Sequence, residues 1–147
     1  MTRRGAPMED LMDHIQAALT GSGAFALTFA VSLVLLAVFA AVYSAITSHH
    51  EMTLIRNGNK AAALSFGGAL VGLVIPVAKA IGQSAGMTDL VLWSAIGFLA
   101  QLLAYGAAAV LVPHLRKSIE QDHVASGILL ASLAIAIGVL NAAAMSL

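Results

Sequence analysis

The chain has 147 residues, enough for one domain and too few for a soluble module beside a membrane unit. Hydrophobic residues make up 60% of it and charged residues 10%, where an ordinary soluble domain is about half apolar and about a quarter charged. Seven basic and seven acidic residues give no net charge and no basic tract for nucleic acid, and the lack of cysteine removes disulfides, thiolate catalysis and thiolate metal sites.

The charges are confined to short stretches, leaving the charge-free gaps 14–50, 61–78, 90–115 and 123–147. About 20 helical residues at 1.5 Å each cross a hydrocarbon core of about 30 Å. The gaps therefore predict four membrane spans, and the mean hydropathy of +0.93 agrees. The second gap is the shortest, and it suffices if the long stem of Lys79 snorkels to the interface from the last turn. The expected fold is all-α, an integral membrane four-helix bundle.

In chain order, Met8, Leu11, Met12, Ile15, Ala18 and Leu19 recur at three- and four-residue spacing opposite Glu9, Asp10, Asp13 and Gln16. This predicts a short N-terminal amphipathic interfacial helix within residues 1–23, ended by Gly21-Ser22-Gly23. Arg3 and Arg4 ahead of an apolar run resemble a signal peptide, but the acidic residues between them and the length of the run favour an uncleaved first span, 24–46. Asn57-Gly58-Asn59 predicts a turn before span two, 61–82. A short return leads to span three, 90–112, with Thr88 or Asp89 as its N-cap and Pro113 at its end. Asp122 is placed to cap span four, 124–146.

The two halves, 24–82 and 83–147, look alike. At an offset of 64, His50 falls on His114, Ile55 on Ile119 and Ala61 on Ala125. Two spans per half would make this a parallel repeat, both copies entering the membrane in one orientation. The stretch Tyr43-Ser44-Ala45-Ile46-Thr47, then Leu54-Ile55-Arg56-Asn57-Gly58-Asn59-Lys60-Ala61-Ala62-Ala63-Leu64-Ser65-Phe66-Gly67-Gly68, with Gly72 and Ile75-Pro76 beyond, resembles the bacterial family called domain of unknown function 350 (YjfL-like). Ala125-Ser126-Gly127 and Gly138-Val139-Leu140-Asn141-Ala142-Ala143 look like its second copy. The resemblance implies a multi-pass bacterial inner-membrane protein made of two-helix repeats. It also implies relatives that work near membrane-stress and PspA-like proteins, and it implies no known activity.

The loops 47–60 and 113–123 should share one side of the membrane, with both termini and the 83–89 return on the other. Arg56, Lys60, Arg116 and Lys117 then face Arg3, Arg4 and Lys79, a small excess that favours cytoplasmic loops and outside termini. Membrane helices associate through small residues and hydrogen bonds. Seams at a 3.5-residue period are expected through Ala62, Ser65, Ala69, Gly72 and Pro76 in span two and through Gly127, Ala131, Ala134, Gly138 and Asn141 in span four. Span three offers Ser94, Gly97, Gln101, Ala104 and Ala108, and span one a weaker seam, Ala30, Val34, Ala37, Ala41, Ser44 and Ser48.

Gln101, mid-span, needs a partner for its amide and reads first as interhelical glue. Lys79 reads first as a snorkelling anchor, with Asn141 or Asp89 as its partner in a functional version; Lys79, Gln101 and Asn141 form the candidate intramembrane polar site. His49, His50, Glu51, His114 and His123 share the loop side and read as a solvated polar loop able to sense pH. His50 and His114 are weak metal candidates, because neither HExxH spacing nor a cysteine cluster supports them. No Ser-His-Asp arrangement or phosphate-binding glycine loop is found, so no enzyme and no cofactor are expected. The expected role is a structural or accessory membrane protein that self-associates in the lipid bilayer, with the 47–60 and 113–123 loops available to a soluble partner. The alternative is a small oligomeric channel or carrier for an ion or solute.

Overall fold

The computed structural model describes residues 7–47 and 51–146. They form six helices: α1 Pro7–Thr47, α2 Glu51–Arg56, α3 Lys60–Gln83, α4 Met87–Leu111, α5 Leu115–Glu120 and α6 Val124–Ala144. Four of them, α1 from Leu11 onward, α3, α4 and α6, are long and apolar enough to cross a membrane. The chain divides into two compact units, one ending at Leu33 and the other starting at Val34.

The described residues of the first unit, from Pro7 on, form one continuous helix, and the expected break at Gly21-Ser22-Gly23 is absent. Glycine weakens a helix in water by about 1 kcal/mol relative to alanine. Away from water an unpaired peptide group costs several kcal/mol, so an apolar helix keeps its ladder through glycine. Gly21 and Gly23 thus continue α1 instead of ending it.

In the second unit every element of the first half recurs 64 residues later. Thr47 ends α1 and Leu111 ends α4; α2 corresponds to α5, and the first residue of α3 to the first residue of α6. Gly58 and Asp122, equivalent at that offset, both have left-handed backbone, with φ of 85° and 58°. Glycine takes this conformation freely, and aspartate is among the few other residues that tolerate it. The connection α2–α3 is therefore built the same way as α5–α6.

The closest packing joins α3 to α6, which run parallel. A Cβ on Gly127 would lie 2.8 Å from Ala61 Cα, one on Gly68 would collide with Ala131, and one on Gly138 would collide with the Gly72 carbonyl. Backbones touch here because these positions lack side chains, which is how helices gain dispersion contact in lipid. Helix α4 runs antiparallel to them and brings Ser94, Gly97, Gln101, Ala104 and Ala108 inward, all buried. Gly97 makes room for the Pro76 ring, since its Cβ would stand 3.2 Å from Pro76 Cγ.

The seam expected for α1 is corrected. Val34, Ala37 and Ala41 face outward, Ser44 is half-buried, Ser48 lies outside the described residues, and the buried residues of α1 among those described are Phe39, Tyr43 and Thr47. The small-residue faces of α3 and α6 are spent on each other, so α1 packs with a bulky ridge. Phe39 meets Phe98 edge-on at 5.3 Å, and Tyr43 meets Tyr105 edge-on at 6.2 Å.

Two caps are also corrected. Gly86 is the N-cap of α4, and Asp89 reaches back to accept the Ala85 N–H at 3.2 Å. His123 is the N-cap of α6, while Asp122 accepts the Ala61 N–H of α3 at 2.8 Å. The predicted turn at Asn57-Gly58-Asn59 precedes α3, and Asn59 caps the helix, accepting from Ala62 N–H at 2.7 Å. Its amide donates to the carbonyls of Ile119 at 2.8 Å and Glu120 at 3.3 Å. Asn59 and Asp122 thus tie the two connections together at one end of the bundle.

Candidate functional site

Two groups of polar side chains are buried in the second unit. The first lies midway along α4, where Gln101 is 1% exposed. Its Nε2 donates to the Ala134 carbonyl of α6 at 3.1 Å, and Gly72 of α3 leaves the space, since a Cβ there would stand 2.7 Å from that nitrogen. One amide therefore pins α4 to α6 over a glycine of α3. Gln101 Oε1 and Asn141 Nδ2 are both buried without a hydrogen-bond partner.

The pairing of Lys79 with Asn141 or Asp89, the functional alternative to a snorkelling anchor, is not formed among the described residues. Asn141 lies against α4, its Nδ2 3.5 Å from where a Cβ on Gly97 would stand. Lys79 is half-buried one turn before the end of α3 and makes no ion pair among the described residues. Ser65, Ala69, Gly72 and Pro76 of α3 and Gly127 and Gly138 of α6 are buried, with Ala131 half-buried. The hydroxyls of Ser65 and Ser94 donate to Ala62 and Leu90 of their own helices at 3.0 and 2.7 Å. The seams therefore cohere by shape rather than by interhelical hydroxyl bonds.

The second group sits where α1 gives way to α2, at the end of the bundle that holds both polar connections. Glu51 was expected in a solvated loop; it is 3% exposed. Thr47 Oγ1 lies 2.8 Å from Glu51 Oε1 and 2.8 Å from the Tyr43 carbonyl, and Ser44 Oγ lies 3.5 Å from Glu51 Oε2. The Tyr43 hydroxyl is buried without a partner. A slot of ≈ 10 Å³, room for about one water, is lined by Glu51, Thr47, Tyr105, Arg116 and Glu120 among others. Burial pushes the Glu51 carboxyl above its ordinary range, and hydrogen bonds from Thr47 and Ser44 oppose that shift.

A larger groove of ≈ 160 Å³, lined by Phe39, Leu73, Phe98 and other apolar residues with Ser94, carries no reactive group. His50 lies outside the described residues, and His114 is exposed in the left-handed region. Among the described residues no three His, Asp or Glu side chains are grouped to hold a metal.

The pattern of the family described as Domain of Unknown Function (DUF350) matches residues 15–145. The chain belongs to this family. The DUF350 chain is 35% identical over 123 residues to the UPF0719 inner membrane protein YjfL of Escherichia coli (strain K12), covering 84% of this chain and 93% of that protein. It is 27% identical over 112 residues to the UPF0719 transmembrane protein YshE of Bacillus subtilis (strain 168), covering 75% of this chain and 82% of that protein. No solved structure matches the DUF350 chain. Sequence reasoning singled out Gln101 by its depth in an apolar span. It missed Glu51, although the clue was present: at the 64-residue offset Glu51 falls on Leu115, also buried at 3% exposure.

Proposed function

We propose that this DUF350 chain is a non-enzymatic bacterial inner-membrane protein with a structural or accessory role, crossing the bilayer four times and self-associating within it. The supporting observation is the closure of the α3–α4–α6 core. Its backbones meet at Gly68, Gly72, Gly127 and Gly138, and the Gln101 amide nitrogen donates to the Ala134 carbonyl. Lys79, Gln101 and Asn141 are not joined into a polar line by any hydrogen bond among the described residues. The names of the relatives place those proteins in the membrane, which supports the same location here.

The polar connections carry Arg56, Lys60, Arg116 and Lys117, all exposed, and this favours their cytoplasmic placement and an acidic soluble partner. A link to membrane stress rests on the family resemblance. Reporter fusions after Glu51 test the orientation: cytoplasmic behaviour is expected, and periplasmic activity inverts it. Chemical cross-linking in native membranes tests self-association, and a chain that stays monomeric refutes it.

A second reading, a small oligomeric channel or carrier, is favoured by one observation. Gln101 Oε1 and Asn141 Nδ2 are buried and unpaired, as groups awaiting a passing solute would be. Flux through proteoliposomes distinguishes the two. No selective flux is expected, and flux abolished by Gln101→Leu would replace the structural reading.

A further inference from the structure

Glu51 and Leu115 are equivalent at the 64-residue offset and both buried, yet they differ in chemistry. Leu115 opens α5 and packs into an apolar cluster with Ala108, Ile119 and Leu130. Its counterpart Glu51 opens α2 and is equally buried. The fold thus places a carboxyl where the other half places a leucine. A buried ionised carboxylate needs a cation or several donors, and otherwise it takes up a proton.

Among the described residues, the neighbours of Glu51 supply little of that compensation. From α1, Ser44 approaches only to 3.5 Å, and the Tyr43 hydroxyl has no partner. From α4 comes Tyr105, and from α5 come Arg116 and Glu120, which pair with each other at 3.1 Å. Neither α3 nor the rest of α2 adds a charged group to the slot among the described residues. The remaining contact is with Thr47, whose single hydroxyl hydrogen is claimed twice. Its oxygen is 2.8 Å from the Tyr43 carbonyl, which can only accept, and 2.8 Å from Glu51 Oε1. Each contact is a full, unshared hydrogen bond only if Glu51 brings the second hydrogen and donates to Thr47; otherwise Thr47 splits one hydrogen between two acceptors.

We propose that Glu51 is a proton-binding site at the loop end of the bundle, its carboxyl protonated at neutral pH and donating to Thr47. The direction in which burial moves this carboxyl agrees. Loss of the proton leaves a carboxylate that must be repaired from nearby. Thr47 turns its hydrogen from the Tyr43 carbonyl to Glu51, the Tyr43 hydroxyl becomes a donor, and Arg116 is drawn from Glu120. The proton leaves through the slot beside Arg116 and Glu120, whose side chains are 53% and 43% exposed. Ionisation of one carboxyl thereby rearranges the junction of α1, α2 and α5, the end of the protein that carries both polar connections.

Infrared spectroscopy of the full chain in liposomes, titrated with pH, tests this. The C=O stretch of a protonated carboxyl is expected at neutral pH, absent from Glu51→Gln and retained in Glu120→Gln. A neutral-pH spectrum without that band overturns the proposal, and so does a band that survives in Glu51→Gln. If Glu51→Gln does not fold, as circular dichroism will reveal, Thr47→Val decides. Removing the acceptor should move the band to higher wavenumber, and an unmoved band refutes the assignment.

Discussion

Substituting Gly138→Ala adds one methyl group where α6 touches α3. The new Cβ would overlap the Gly72 carbonyl oxygen and lie 2.8 and 2.9 Å from the Gly72 carbonyl carbon and Cα. Carbon atoms prefer separations of about 3.5–4.0 Å, so the helices must part by roughly 0.5–1 Å, which forfeits about a quarter to a half of each contact's attraction. No flexible side chain can yield, because Gly72 offers only backbone. The same displacement loosens the contacts of Gly68 with Ala131 and of Ala61 with Gly127. Lipid supplies no hydrophobic force to restore them. Overpacking of this kind costs about 1–3 kcal/mol. Gly67→Ala is the control, since nothing lies within 4 Å of its added Cβ. It should be neutral or stabilising by up to about 1 kcal/mol through helix propensity. Equilibrium unfolding in mixed micelles, followed by circular dichroism and by Trp93 fluorescence, measures the difference. Equal losses for the two alanine variants, or none for either, would falsify the steric argument.

Asn59→Ala removes a cap on α3 and both ties to the α5 carbonyls, so a loss of about 2 kcal/mol is expected in the same unfolding assay. Asn59→Asp keeps the acceptor for Ala62 N–H and should fall between that variant and wild type. Gln101→Leu loses one interhelical bond, at most about 2 kcal/mol, but also removes the unpaired Oε1, so a net change below about 1 kcal/mol is expected; a larger loss would reveal a further partner. Folding raises the carboxyl of Glu51 above its unfolded value, so its contribution is fully present in acid and is lost as pH rises through the raised value. Unfolding midpoints against pH should show that decline in wild type but not in Glu51→Gln, and a wild-type midpoint that improves over the same window relative to Glu51→Gln would contradict it.

The sequence by itself determined the four apolar helices, the interval of 64 residues between halves and the inward faces of α3, α4 and α6. These depend on local quantities: hydropathy over about 20 residues, and the spacing of small side chains along one helix. The turn at Asn57-Gly58-Asn59 was legible for the same reason, since the residues that make it are neighbours in the chain. The features that escaped depend on which elements meet. Asp122 was recognisable as a capping residue, but only the joining of the two connections shows that it caps α3. The small residues of α1 looked like a seam, yet α3 and α6 satisfy each other and leave α1 to pack through Phe39 and Tyr43. Gly21 and Gly23 looked like a break, because glycine's cost in water is local and the cost of unpaired backbone away from water is not. Glu51 looked solvated, because charge is a property of the residue whereas burial belongs to the helices that close around it.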